Sequence, residues 1–181
     1  FVEHAKDLIA AGLFKEFRAT ELSDLLRRAY PLDGVALFLL PRISARVAQN
    51  ERTLFNFLQA ADWTHRIGAD LIFRFFESAM RQDVGAGGTY RALLETNSAS
   101  SKCSSDEEAQ TLQTACALSI GLSANRTKIS RKLLLLAIAG GEITSRGAQE
   151  LVDGLIERKL LLYRRHSDEV SVWHGTDANL R

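Results

Sequence analysis

Cysteine is nearly absent: Cys103 and Cys116 are the only two in 181 residues. Two thiols without metal-type spacing exclude a disulfide framework and point to a reducing, cytoplasmic setting. Only two prolines interrupt the chain, and Leu, Ala, Arg and Glu are common, which favours helices. The longest strongly apolar run, Leu133 to Ala139, falls far short of the roughly 20 residues that cross a bilayer. No signal peptide is visible, so no membrane is expected. Formal net charge is only +1, which excludes the whole chain as an electrostatic magnet for nucleic acid.

Catalytic sets are poor as well. His4, His65, His166 and His174 are scattered, and none has the i, i+4 partner that zinc would use. No Gly-x-Ser-x-Gly elbow occurs. "VGAGGTYR" is glycine-rich, but a helical pattern precedes it and no Lys follows. Gly85, Gly87 and Gly88 are therefore expected to permit a left-handed turn, not to cradle phosphate. Glu107 and Glu108 fall in a helical first turn, where the dipole favours carboxylates. A freestanding enzyme is the least supported class.

Helical periodicity dominates what is present. "FVEHAKDLIAAGLFKEF" puts Val2, Ala5, Leu8, Ile9 and Leu13 on one face. Thr20 is the expected cap of "ELSDLLRRAY", with Leu22, Leu25, Leu26 and Ala29 inward and Glu21 in the first turn; Pro31 stops it. "VALFLLPRISARVAQ" reads as a buried helix that Pro41 kinks or splits, and Asn50 as the cap of "ERTLFNFLQ". "ADLIFRFFESAMRQ" carries an apolar stripe of Leu71, Ile72, Phe75, Phe76, Ala79 and Met80, the pattern of core packing. "TYRALLET" restarts a helix after the glycines. "NSASSKCSSDEE" is polar and Ser-rich, and reads as a linker.

The last third differs. "DEEAQTLQTACALSIGL" is one helix. Ser130 is the expected cap of "RKLLLLAIAG", which ends at Gly140 and Gly141, and Ser145 that of "RGAQELVDGLIERK". Two β-rich runs, "LLLYRR" and "VSVWHG", then flank an "HSDE" turn. Three helices followed by a hairpin is the order of a winged helix. The charge is also uneven: residues 126–181 hold ten Lys/Arg against seven Asp/Glu, the rest 13 against 15. In a winged helix the third helix can enter the major groove while the wing meets the backbone. That makes Arg146, Arg164, Arg165 and His166 the candidates for DNA contact. Glu150, Asp153, Glu157, Asp168 and Glu169 oppose it by repelling phosphate wherever they face it. The fold class expected is mainly α: a helical region over 1–60, a helical connector and linker over 61–105, and a winged-helix domain over 106–181.

One stretch has a familiar pattern. Tyr30-Pro31, the Leu-rich run Leu37 to Leu40, Gln49 to Arg52, and Thr53 to Leu58 follow each other in "YPLDGVALFLLPRISARVAQNERTLFNFL". This resembles the helical lid after the nucleotide-binding core in large bacterial P-loop ATPases related to the AAA+ and STAND classes. "MRQDVGAGGTYR" and "LIERKLLLYRRHSDEVSVWHGTD" are similar to later parts of that group, the second to its winged helix. The resemblance implies that Pro31 packs near a nucleotide. It also implies that a lid arginine, one of Arg42, Arg46 or Arg52, reaches the terminal phosphate in a sensor role. No Gly-x-x-x-x-Gly-Lys-Ser/Thr occurs, and no apolar strand ends in an acidic magnesium ligand. ATP and magnesium are thus expected only in a longer parent ATPase. This chain, which starts at Phe1, would be its non-catalytic regulatory segment, partnered by a preceding nucleotide-binding core and by DNA or a protein. The rivals are a freestanding winged-helix regulator, acting as a homodimer on duplex DNA, and a protein-interaction scaffold.

Overall fold

A computed structural model describes residues 1–48, 51–125, 127–139 and 144–173. Helix α1 (Val2–Ala10) buries Ala5 and Leu8 and ends earlier than its periodicity suggests. Gly12, at φ +92°, turns the chain, and the Gly12 and Leu13 amides donate to Ile9 and Leu8 carbonyls at 2.9 and 3.0 Å. This double closure satisfies carbonyls the helix would leave open. Leu13 is buried, but from the turn.

Helix α2 (Ala19–Ala29) starts one residue before Thr20. Its cap is Arg18, whose amide donates to Glu21 Oε2 at 3.0 Å, so the Glu21 carboxylate closes the first turn instead of a Thr hydroxyl. The helix ends at Tyr30, and the Tyr30–Pro31 peptide is cis. Helix α3 (Gly34–Ile43) runs through Pro41, so of the expected kink or split the split does not occur. The ring is exposed, and the helical backbone continues as a π-helical segment, Ser44–Ala48. Proline cannot donate to the carbonyl four residues back. The Ser44 amide then donates to both Leu40 and Pro41, and the register widens. Asn50, Gly140 and Gly141 lie outside the described residues.

Helix α4 (Glu51–Ala60) leads to α5 (Ala69–Gln82), which buries Ala69, Ile72, Phe73, Phe76 and Met80. The buried stripe is rotated from the expected one: Phe73 is inside, while Leu71 is 36% exposed. Phe57 of α4 meets Phe75 edge-on at 5.0 Å and stacks on Phe76 at 6.3 Å. After the glycine turn, α6 (Tyr90–Ser100) absorbs the first four residues of the Ser-rich stretch, so the connection to α7 (Asp106–Leu122) is only 101–105. Ser105 caps α7, accepting from the Glu108 amide at 3.3 Å.

Ten of the 17 residues of α7 are buried, which makes it an inner wall for elements on both sides of it. It packs on α3, α5 and α6 and also on the elements after it. Those are α8 (Arg131–Ile138), α9 (Ser145–Glu157) and β2 (Glu169–Val172), while β1 (Leu161–Arg164) packs on α9 and pairs with β2. Ser130 caps α8 as expected, accepting from Leu133 at 3.1 Å. The cap of α9 is Thr144, one residue before the expected Ser145, accepting from Gly147 at 3.1 Å. The two strands pair antiparallel, Leu161 opposite Val172 and Arg164 opposite Glu169. Asp168, left-handed at φ 44°, completes the turn. The architecture is mainly α with one small antiparallel hairpin, and one continuous apolar core crosses residue 105.

Candidate functional site

The α2–α3 junction builds a cleft of about 320 Å³ beside Pro31. The Ile67 amide donates to the Pro31 carbonyl at 3.0 Å and the Asp33 amide to Ile67 at 2.9 Å. This pairing lays residues 66–67 along the junction and aims Arg66 at Asp33. Asp33 caps α3: its Oδ1 accepts from the Val35 amide at 2.8 Å. Its Oδ2 accepts from Arg66 Nε at 3.2 Å and Nη2 at 2.7 Å. Arg66 Nη2 also lies 3.2 and 3.3 Å from the carbonyl oxygens of Ala137 and Ala139, donating at the end of α8. A carboxylate thus satisfies one helix start and a guanidinium one helix end, each where the backbone dipole favours it. Side-chain exposure is 28% for Arg66 and 9% for Asp33.

Pro31 is buried in the cleft wall, with Leu26, His4 and the exposed rings of Phe1 and Tyr30 around it. Such a lining suits an apolar or planar group. A phosphate at the start of α3 would face the Asp33 carboxylate already there. A side chain at 34 would crowd its neighbours, since a Cβ would sit 2.6 Å from a Leu8 methyl and 3.1 Å from His4 Nε2.

The three sensor candidates are not gathered at Pro31. Arg42 lies on α3 nine residues beyond Asp33, roughly 14 Å along the helix. It folds onto its own helix, donating to the Phe38 carbonyl at 3.0 Å with its guanidinium 3.5 Å from the Phe38 ring centre. Arg46 binds the glycine turn, at 3.3 Å from Asp83 Oδ2 and 2.6 Å from the Gly87 carbonyl. Gly87 alone of the three turn glycines has a positive φ, 75°; Gly88 is needed because a Cβ there would collide with the Asp83 carbonyl. Arg52 is exposed in the first turn of α4.

Two of the four candidates for DNA contact are paired with acids. Arg146 Nε donates to Glu150 at 2.9 Å, and Arg164 lies 3.4 Å from Glu169. Arg131 Nη2 donates to Asp153 at 2.6 Å, and Tyr163 donates to Asp168 at 3.1 Å, joining α8, α9 and the turn. Only Arg165 and His166 stand exposed at the tip without a side-chain ion pair among the described residues.

Two further anchors carry titratable groups. Arg158 grips both oxygens of Glu108 at 2.9 and 3.0 Å, and donates to Ser104 Oγ and the Lys102 carbonyl. The Ser104 amide, and then Arg158, hold the Glu108 carboxyl below the usual range. The Thr89 amide is the main cause of the same shift at Asp83, with the Thr89 hydroxyl and Arg46 adding to it. A carboxyl lowered by folding gives stability that is complete above the unfolded value, about 4, and lost as pH falls through the lowered folded value. The urea midpoint is expected to fall between pH 5 and pH 3, and to fall less in Glu108→Gln.

Asp33 and Arg66 are the residues that sequence reasoning missed. Asp33 stands directly before an apolar helix and carried a readable cap signal. Arg66 sits in a turn with no periodicity, and only the three-dimensional pairing shows its role. No family model, curated protein or solved structure matches the chain. Among the described residues no cluster of His, Cys, Asp and Glu could hold a metal, and no helix is long and apolar enough to cross a membrane.

Proposed function

We propose that this chain is the non-catalytic regulatory segment of a larger P-loop ATPase, in which a helical lid passes nucleotide state to a winged helix. The Asp33–Arg66 pair carries this reading. It lies under the Pro31 cleft and at the same time holds the Ala137 and Ala139 carbonyls at the end of α8. A group that entered or left the cleft would act on Arg66, and Arg66 on the helix that opens the last three-helix unit. Helix α7, shared by both parts, supports coupled movement. ATP and magnesium would be bound by the parent's own core, with Pro31 facing the nucleotide. Arg46, tied to the glycine turn, serves the sensor role less well than its spacing suggests.

The order of α7, α8, α9, β1 and β2 supports the winged-helix assignment. Its charge pairing favours a protein over DNA as the partner. The first test is the intact mass of the native gene product. A mass well above 20.1 kDa, with a phosphate-binding loop in the added sequence, is the expected result. A mass matching this chain would overturn the ATPase reading.

The exposed tip, Arg165 and His166, favours a second reading, a DNA-binding regulator. Duplex DNA titrated against salt separates the two. Each true phosphate contact adds about 0.9 to the slope of log affinity against log salt. We expect a shallow slope that changes by less than about one unit in Arg164→Ala plus Arg165→Ala. A steep slope that collapses in the double variant would favour the regulator.

A further inference from the structure

A second groove, of about 300 Å³, lies between α6 and the end of α9. Its floor is apolar: Ala99 and Leu160 are buried, Trp173 is half-buried, and Leu94 is 45% exposed. Lys102 and Lys159 stand exposed on its rim. Several other cations of the last helices are answered by acids, as Arg158 is by Glu108, Arg131 by Asp153 and Arg146 by Glu150. Lys102 and Lys159 have no such partner among the described residues. The one carboxylate in the lining, Glu95, is engaged by Arg91 at 2.8 Å. The indole N–H of Trp173 makes no hydrogen bond among the described residues, so the groove adds a neutral donor to its two ammonium groups.

The groove is also held in shape. Arg158 donates to the Lys102 carbonyl at 3.2 Å while gripping Glu108, which fixes the turn bearing Lys102 against the end of α9. The Trp173 amide donates to the Leu160 carbonyl at 3.0 Å, which fixes the indole's backbone beside that floor residue. Lys159 sits at φ 56°, in the left-handed turn that ends α9, and its side chain reaches the rim opposite α6. An apolar slot with two unanswered positive charges on its rim is complementary to an apolar side chain flanked by carboxylates.

We propose that this groove docks an acidic amphipathic peptide segment of a partner protein, with a Leu-type side chain on Leu160 and Trp173 and carboxylates at Lys102 and Lys159. The site is separate from the Pro31 cleft and does not depend on the nucleotide reading. The test uses three fluorescent synthetic peptides and anisotropy: one of alternating Glu and Leu, one with every Glu replaced by Lys, and one with every Leu replaced by Ser. The Glu/Leu peptide is expected to bind most tightly, and Lys102→Glu plus Lys159→Glu to weaken it about tenfold or more. Leu94→Ser, on the exposed floor, is expected to weaken it without changing its salt dependence. Equal binding of the Lys/Leu peptide, or affinity unmoved by the double charge reversal, would overturn the proposal. So would duplex DNA that binds the wild type more tightly than the Glu/Leu peptide and loses its affinity in the same double variant, since the lysines would then be a phosphate site.

Discussion

Asp33→Ala is expected to cost about 3 kcal/mol of folding stability, read as a lower urea midpoint at neutral pH. Two effects combine. The cap of α3 disappears, a loss of about 1 kcal/mol. Arg66, largely buried, is left without its carboxylate. Removing one partner of a fully buried pair costs about 3–5 kcal/mol, and the partial exposure of Arg66 puts the effect below that range. Asp33→Asn keeps an oxygen for the Val35 amide and loses only the charge, so its cost should be about half as large. The coupling has its own readout. Without Asp33 the guanidinium is no longer aimed at Ala137 and Ala139, and the last turn of α8 should open more often. Hydrogen exchange at the Ile138 and Ala139 amides is expected to speed up more than at α5. Equal acceleration in both helices would mean that the variant only lowers global stability, and that Arg66 is no link.

Gly121→Val is expected to destabilise by about 2–3 kcal/mol, although valine is the better helix former. Gly121 lies on α7 against α3, where a Cβ would overlap the Cδ2 methyl of Leu39 and lie 3.7 Å from Ile43 Cγ1. Leu39 and Ile43 are wholly buried, so their side chains have no open water to move into. Helix propensity returns a few tenths of a kcal/mol, an order of magnitude less than the packing cost. Leu39→Ala alone should cost about 2–5 kcal/mol by opening a cavity. In the double variant the valine partly fills that space, and the two costs should fall short of their sum by about 1 kcal/mol. Strict additivity in thermal or urea unfolding would mean that α3 and α7 do not meet there.

The helices were legible wherever periodicity and chemistry agreed. Ser130 had a cap's position and acts as one, and α7 and α5 have the extents their patterns suggest. The cap of α9 was missed by one residue because Thr144 and Ser145 stand together and either hydroxyl can accept the same amides, and that of α2 by two because Glu21 closes its first turn. The Ser-rich stretch misled because serine composition says nothing of the packing that holds Ala99 inside α6. Leu71 and Phe73 exchanged roles because an amphipathic stripe fixes an angle only to within a residue, and α7 decides which side is inward. At the candidate site, Pro31 stands in the cleft wall, and a nucleotide beside it belongs to the proposal. The partners of the arginines were not legible, since a guanidinium reaches far and its partner depends on the fold: Arg42 turned to Phe38, Arg46 to Asp83, and the unremarked Arg66 to Asp33.

Helix α7 has a consequence for how this chain can change over time. Units that are exchanged between proteins have edges crossed by few contacts. A helix that forms the inner wall for the elements before it and after it offers no such edge at either end. A copy of the last three helices transplanted elsewhere would carry a face shaped for α3 and α5, and the donor would be left with a trench. The two parts are therefore expected to be inherited as one block. Length variation should collect where no wall is shared, at turns such as Asp83 to Gly88.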